Sequence, residues 1–295
     1  MSGRRNVLIG LVLVLFHGAS AIAQSTSPWS GIVADEARPG TPWYSSGSSE
    51  MGNRSMSRDG RFVVFNSSLD NLVAGDTNNA SDVFMRDRQT GALYRVSVGS
   101  DGSQGNHYSA FATISRNGRH IAFNTCATNF DPADTNNSCD LYIRDHELGT
   151  TVRASIGPAG EQATWTSQHH FSLSRDGRYF AFIASFSADY KQGVWLRDRD
   201  SDGNGIFDEP GTALTTQITP VLGALWETGY DDVAISPDGR WIAFNALTWD
   251  DSNYPLGTRL YLHDRIGGSN IRIDRPNAGA ADTGAYSGGV GFSEA

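Results

Sequence analysis

The densest group of side chains able to do chemistry lies in DRDSDGNGIFDEPG, Asp198 to Gly211, where carboxylates and an amide alternate with glycines. Such an alternation curls a chain around a hard cation that takes six to eight oxygen ligands, which is calcium chemistry. Two registers fit. One begins at Asp198 and puts Asp200, Asp202, Gly203 and Glu209 at the positions of an EF-hand loop. The other begins at Asp200 and continues through Asp202, Asn204, Gly205 and Asp208. The second is preferred, because Asp198 recurs as Asp87, Asp145 and Asp264 where no such loop follows, and no flanking helices are legible. The candidate ligands are Asp200, Asp202, Asn204, Ile206, Asp208 and Glu209. The competing reading of the same residues is a solvated acidic loop tip.

A fainter acidic signal is DTNNASD (Asp76 to Asp82) with its counterpart DTNNSCD (Asp134 to Asp140). Asp76, Asn78, Asp82, Asp134, Asn136 and Asp140 could gather oxygen ligands for a metal. Asp and Asn also build turns by bonding their own backbone, and that reading leads here.

Catalytic groupings are sparse. Ala285-Tyr286-Ser287-Gly288-Gly289 departs from the G-x-S-x-G nucleophile elbow at its first position. His169-His170 has no carboxylate or histidine partner at ligand spacing, and surface or channel lining is the reading for it. No phosphate-cradling glycine loop occurs. No catalytic residue is assigned, and no enzyme is expected in this chain.

The elements that would position these residues are set by a repeat. SRDGRFVVF (from Ser57), SRNGRHIAF (from Ser115), SRDGRYFAF (from Ser174) and SPDGRWIAF (from Ser236) recur at roughly 60 residues, and units repeated at such a period bury their apolar faces against one another. The Asp-Gly or Asn-Gly pair marks a tight turn. The β-branched and aromatic run after it reads as a strand. A second phrase follows each first: DVFMRD (Asp82 to Asp87), DLYIRD (Asp140 to Asp145), GVWLRD (Gly193 to Asp198) and RLYLHD (Arg259 to Asp264). With a further short strand after each, one period holds four antiparallel strands. The fold class is therefore all-β, a β-propeller of four-stranded antiparallel blades.

S-x-D-G-R-x-[VI]-A-F followed by [DG]-V-[FYW]-x-R-D resembles the TolB-like (WD-repeat-like) family of bacterial β-propeller repeats. That resemblance implies a six-bladed ring and protein–protein interaction in the cell envelope. The blades are expected at about 53–98, 110–155, 170–219 and 231–274, with a fifth beginning at 287–295. Four complete blades and one strand suggest a truncated ring. Residues 24–52 are the candidate for a closing strand in a smaller one.

Residues 1–23 read as an export signal: Arg4-Arg5, an apolar run from Val7 to Phe16, and Ala21-Ile22-Ala23 as cleavage site. The expected location is periplasmic or secreted, without stable membrane insertion after cleavage. Net charge is −9 and becomes more negative once Arg4 and Arg5 are removed, which argues against nucleic acid or anionic lipid as partner. The two cysteines, Cys126 and Cys139, flank one inter-strand loop of the second blade, and in an oxidising compartment they are expected to pair. The expected function is a non-catalytic scaffold for an envelope or extracellular protein or a small ligand. The alternative is the propeller portion of a peptidase or polysaccharide-active enzyme whose catalytic part lies elsewhere.

Overall fold

The computed structural model describes residues 49–51, 54–188, 191–219, 226–249, 255–274 and 290–292. All of these lie within the unit Ala34–Ala295. The leader expected at 1–23 and the fifth-blade strand starting at 287 fall largely or wholly outside them.

The described residues form four sheets of four antiparallel strands, each in sequence order. The first holds β1 (Ser49–Glu50), β2 (Phe62–Ser67), β3 (Asp82–Asp87) and β4 (Leu93–Arg95), and the second β5 (Ser109–Ile114), β6 (His120–Thr125), β7 (Asp140–Asp145) and β8 (Thr150–Arg153). The third holds β9 (Trp165–Leu173), β10 (Tyr179–Ser185), β11 (Gly193–Asp198) and β12 (Leu214–Gln217). The fourth holds β13 (Trp226–Ile235), β14 (Trp241–Trp249), β15 (Pro255–Asp264) and β16 (Ser269–Arg272). These are the blades of a β-propeller. Ser49–Glu50, from the segment read as a candidate closing strand, instead pairs with Asn66 and Ser67 as the first strand of its own blade. The third and fourth blades likewise begin at Trp165 and Trp226, ahead of the boundaries expected from the phrases.

The repeated phrase is a hydrogen-bonded device. Ser57 Oγ donates to Asp59 Oδ1 (2.6 Å) and accepts from Phe62 N–H (2.9 Å), while Asp59 Oδ1 also takes Arg61 N–H (3.0 Å). Ser115 with Asn117, Ser174 with Asp176, and Ser236 with Asp238 repeat the arrangement. The last Arg of the phrase then reaches the last Asp of the second phrase: Arg61 to Asp87 (2.7 Å), Arg119 to Asp145 (2.7 Å), Arg178 to Asp198 (2.8 Å) and Arg240 to Asp264 (2.9 Å). The residue after Asp closes the same corner from the other side. Arg88, Arg199 and Arg265 each donate to the carbonyl of the turn glycine, at Gly60, Gly177 and Gly239.

Both faces of the blades are buried, which is why β2, β6, β10 and β14 read as continuous apolar runs. One core lies between the first and second blades (Val64, Met85, Ile114, Ile121, Phe123). A second lies between the second and third (Ile143, Phe171, Phe180, Phe182), and a third between the third and fourth (Ile183, Leu196, Val233, Phe244). The four matched phenylalanines, Phe65, Phe123, Phe182 and Phe244, are at most 1% exposed.

Cys126 and Cys139 are joined in a disulfide across the loop between β6 and β7. Closing a loop of this size restricts the unfolded chain. Reduction is expected to lower stability by about 2 kcal/mol. A urea midpoint that does not move on reduction would show that the loop stays closed without the bond.

Candidate functional site

Two places carry polar groups that differ from blade to blade. The first is the long turn between β11 and β12. Gly203 and Gly205 take positive φ (73° and 87°), conformations that L side chains rarely adopt, and they curl the chain back. Asp200 is 3% exposed. Its Oδ2 accepts Gly205 N–H (3.2 Å) and lies 3.7 Å from Arg178 Nη1, while its Oδ1 is buried with no hydrogen-bond partner. Asn204 Nδ2 donates to both Asp202 Oδ2 (2.9 Å) and Glu209 Oε2 (2.6 Å), and Asn204 Oδ1 accepts Ile206 N–H (2.7 Å).

Asp208 points to other work. It pairs with Arg199 (2.7 Å) and lies 3.6 Å from Arg197 Nε. Phe207 beside it stacks on His120 of the second blade, with centroids 5.1 Å apart, and Arg199 lies over the Phe207 ring. A cleft of about 520 Å³ at this seam is lined by Arg119, His120, Asp145, Phe207 and Asp208 among others. The acidic turn is therefore anchored at its far end by an ion pair and an aromatic contact. Of the six expected ligands, Asn204 bonds both Asp202 and Glu209 and receives the Ile206 N–H, Asp200 bonds the Gly205 N–H, and Asp208 is paired with Arg199. Among the described residues no three His, Cys, Asp or Glu side chains converge as metal ligands would.

The DTNN segments are turns. Asn78 Nδ2 donates to Asp82 Oδ2 (3.1 Å) and Gly105 O (3.0 Å), and Asn136 Nδ2 repeats this with Asp140 (3.1 Å) and Ala163 O (2.9 Å). A buried guanidinium spans each pair of carboxylates: Arg95 lies 3.4 Å from Asp76 and 3.8 Å from Asp82, and Arg153 lies 3.7 Å from Asp134 and 3.8 Å from Asp140. Burial pushes the Asp140 carboxyl up to about 6, against the pull of the Ser155 hydroxyl.

The second place is the row of first strands. β5, β9 and β13 each carry a bulge or register shift. Bulges re-aim side chains and gather beside functional sites. Counting four residues back from the phrase serine gives Phe111, His170 and Asp232, three different chemistries at one repeat position. His170 Nδ1 lies 3.2 Å from Asp232 Oδ1, whose other oxygen accepts Val290 N–H (2.7 Å). Phe111 packs on His169 with centroids 3.8 Å apart and holds φ at 56°, as Arg54 does at 57°. Both are non-glycine residues in the left-handed region. Arg54 of the first blade bonds Ser172 Oγ of the third, and Ser172 Oγ also accepts Ile235 N–H of the fourth (3.2 Å), so the first strands converge. A pocket of about 280 Å³ is lined by Glu50, Asn66, Phe111, His169 and Phe171. The sequence reads the histidine pair as surface or channel lining. Its aspartate lies 62 residues away and shows only when the repeats are aligned.

No protein-family model and no curated protein sequence matches the chain. Solved structures do. TolB from Acinetobacter baumannii is 17% identical over 76% of this chain and 44% of that one, with a TM-score of 0.42. The tricorn protease is 10% identical over 74% and 22% (TM-score 0.44), and the Pyrococcus horikoshii acylaminoacyl peptidase 12% over 72% and 30% (TM-score 0.38). The chain thus spans less than half the length of each. Likeness at this level is one of fold, and it adds nothing to what the four sheets establish by themselves: the chain is a β-propeller.

Proposed function

We propose that this chain is an exported, non-catalytic binding scaffold, holding an envelope or extracellular protein or a small ligand along its first strands. One observation carries the reading. The first-strand position four residues before the phrase serine does not recur in chemistry. Phe111, His170 and Asp232 therefore serve something other than the repeat's own architecture. Left-handed backbone at Phe111 and Arg54 supports it, since strain of about 1–3 kcal/mol per residue gathers where function holds it. The experiment is site-specific photo-crosslinking in the native host. A crosslinker at Phe111 is expected to give a discrete adduct that is lost in His170→Ala/Asp232→Ala. The same group at Tyr94, exposed on β4, gives none. Equal labelling from both positions, or peptidase or glycosidase turnover by the purified protein, overturns the reading.

Calcium in the β11–β12 turn is part of this proposal. The buried, unpartnered Asp200 Oδ1 supports it, together with Asp202, Asn204, Glu209 and the Ile206 carbonyl as oxygen donors. Calorimetric titration is expected to show one site, weakened at least tenfold in Asp200→Ala/Asp202→Ala. No heat, or equal binding by both proteins, removes it. Asp208→Ala is expected to spare calcium binding, because its carboxylate is held by Arg199.

A further inference from the structure

The pocket of about 280 Å³ on the first-strand row carries a charged side chain that the repeat does not require. Glu50 stands opposite Asn66 in the β1–β2 pairing, as Ala110 stands opposite the matched Asn124 in the second blade. Alanine there shows that the strand pairing needs no carboxylate. Glu50 is exposed, and so is Met51 beside it, at 56%. Phe111 and His169 line the same space, their rings packed with centroids 3.8 Å apart. The buried Phe171 and Asn66 complete it.

We propose that this pocket is a cup for a lysine or arginine side chain of a basic protein partner, with Glu50 as its counter-charge and the rings of Phe111, His169 and Phe171 as its walls. The proposal rests on the reading of the first strands as a binding surface, and it names the chemistry which that surface takes. An aromatic face attracts a cation held within about 6 Å of its centroid, and does so more strongly in a drier site. A carboxylate at the rim adds a charge-assisted bond to an ammonium or guanidinium group. The apolar stem of either side chain can lie along Met51 and Phe111 while its charged head meets Glu50. Size agrees as well. Ligand pockets commonly hold about 300–1,000 Å³, and this one, at the small end, fits a single side chain rather than a folded element.

Charge favours a cation at two ranges. Within the pocket, burial first and then the charge of His170 hold His169 below the ordinary imidazole value, so at neutral pH it offers a ring without a positive charge. Arg54, on the same row, bonds Ser172 Oγ and feels the charge of Asp232, and it does not line the pocket. At longer range the chain's net charge of −9 steers a basic partner toward it. An anionic ligand would meet repulsion from both.

Isothermal titration of the purified chain with hexalysine, hexaglutamate and tetramethylammonium tests the proposal. Hexalysine is expected to bind, less tightly in added salt, and hexaglutamate is expected not to. The hexalysine Kd is expected to rise about fivefold in Glu50→Gln and about fivefold in Phe111→Leu, which keeps an apolar side chain but removes the ring face. Glu147→Gln removes an exposed carboxylate from the β7–β8 turn and is expected to leave the Kd within about twofold. Should Phe111→Leu fail to fold, Glu50→Gln carries the test alone. No binding of hexalysine, binding of hexaglutamate, or an equal loss in Glu147→Gln overturns the proposal. Tetramethylammonium binding as tightly as hexalysine also overturns it, because the cup would then serve free organic cations. A discrete Phe111 adduct in the host without hexalysine binding removes the cup and leaves the scaffold reading standing. Hexalysine binding with the expected variant pattern and no adduct does the reverse.

Discussion

Gly177→Ala is expected to destabilise the protein by about 4 kcal/mol, because a steric cost of about 1–3 kcal/mol adds to a backbone cost of similar size. Gly177 holds φ at 81°, and a Cβ there would stand 2.5 Å from His120 Nδ1 of the preceding blade. The contact belongs to the repeat. Gly118 meets Phe62 and Gly239 meets Tyr179 in the same way, each the first residue of an apolar run on the blade before. The turn glycine is thus required twice, by its own dihedral and by the ring laid over it. Gly203→Ala separates the two costs, since Gly203 has φ of 73° but nothing within 4 Å of the added carbon. It is expected to cost only about 1 kcal/mol. Urea unfolding of the two variants measures the difference. Equal shifts in midpoint would show that the seam between blades yields to the methyl group.

Much of this architecture was legible in the sequence because the repeat supplies its own control. Ser57, Gly60 and Arg61 recur in every unit, with Asp59 replaced only by Asn117, and each proves to have a partner that also recurs, the Arg61–Asp87 pair among them. The same arithmetic put the two cysteines at one inter-strand loop, where they are joined. The candidate site was less legible. Two acidic residues close in sequence, Asp202 and Asp208, take different partners: Asn204 bonds the first, while Arg199 and Arg197 lie against the second. Arg199 sits where Arg88, His146 and Arg265 sit in other units, and its added bond to Asp208 exists only because this one turn is long. Bulges in β5, β9 and β13 carry little sequence signature, because an extra residue in a strand shifts alternation without changing composition.

His120 is the place where the repeat's rule bends. Matched positions hold Phe62, Tyr179 and Trp241, and a titratable ring in an apolar seam makes stability depend on pH. His120 is 2% exposed, and burial first, then the Arg199 charge, lowers its pKa from 6.5 to about 4. Asp145, with an oxygen 3.4 Å from Nε2, acts in the opposite sense, and Arg119 adds to the lowering. The folded state therefore takes up this proton less readily than the unfolded chain. Its contribution is complete above pH 6.5 and is lost as pH falls toward 4, a difference of about 3 kcal/mol for the whole shift. Asp140 works against it over part of the window, since its carboxyl is raised to about 6 and its burial penalty eases as pH falls. Carboxylates paired with arginine, such as Asp264 with its pKa lowered to about 2, weaken folding only at lower pH. Comparison with His120→Phe isolates the histidine, because phenylalanine is what the first blade uses in the same seam and Asp140 remains in both proteins. The wild type is expected to lose about 3 kcal/mol more than the variant between pH 7 and pH 4. Parallel stability curves for the two proteins would mean that the ring takes its proton in the folded state as readily as in the unfolded chain.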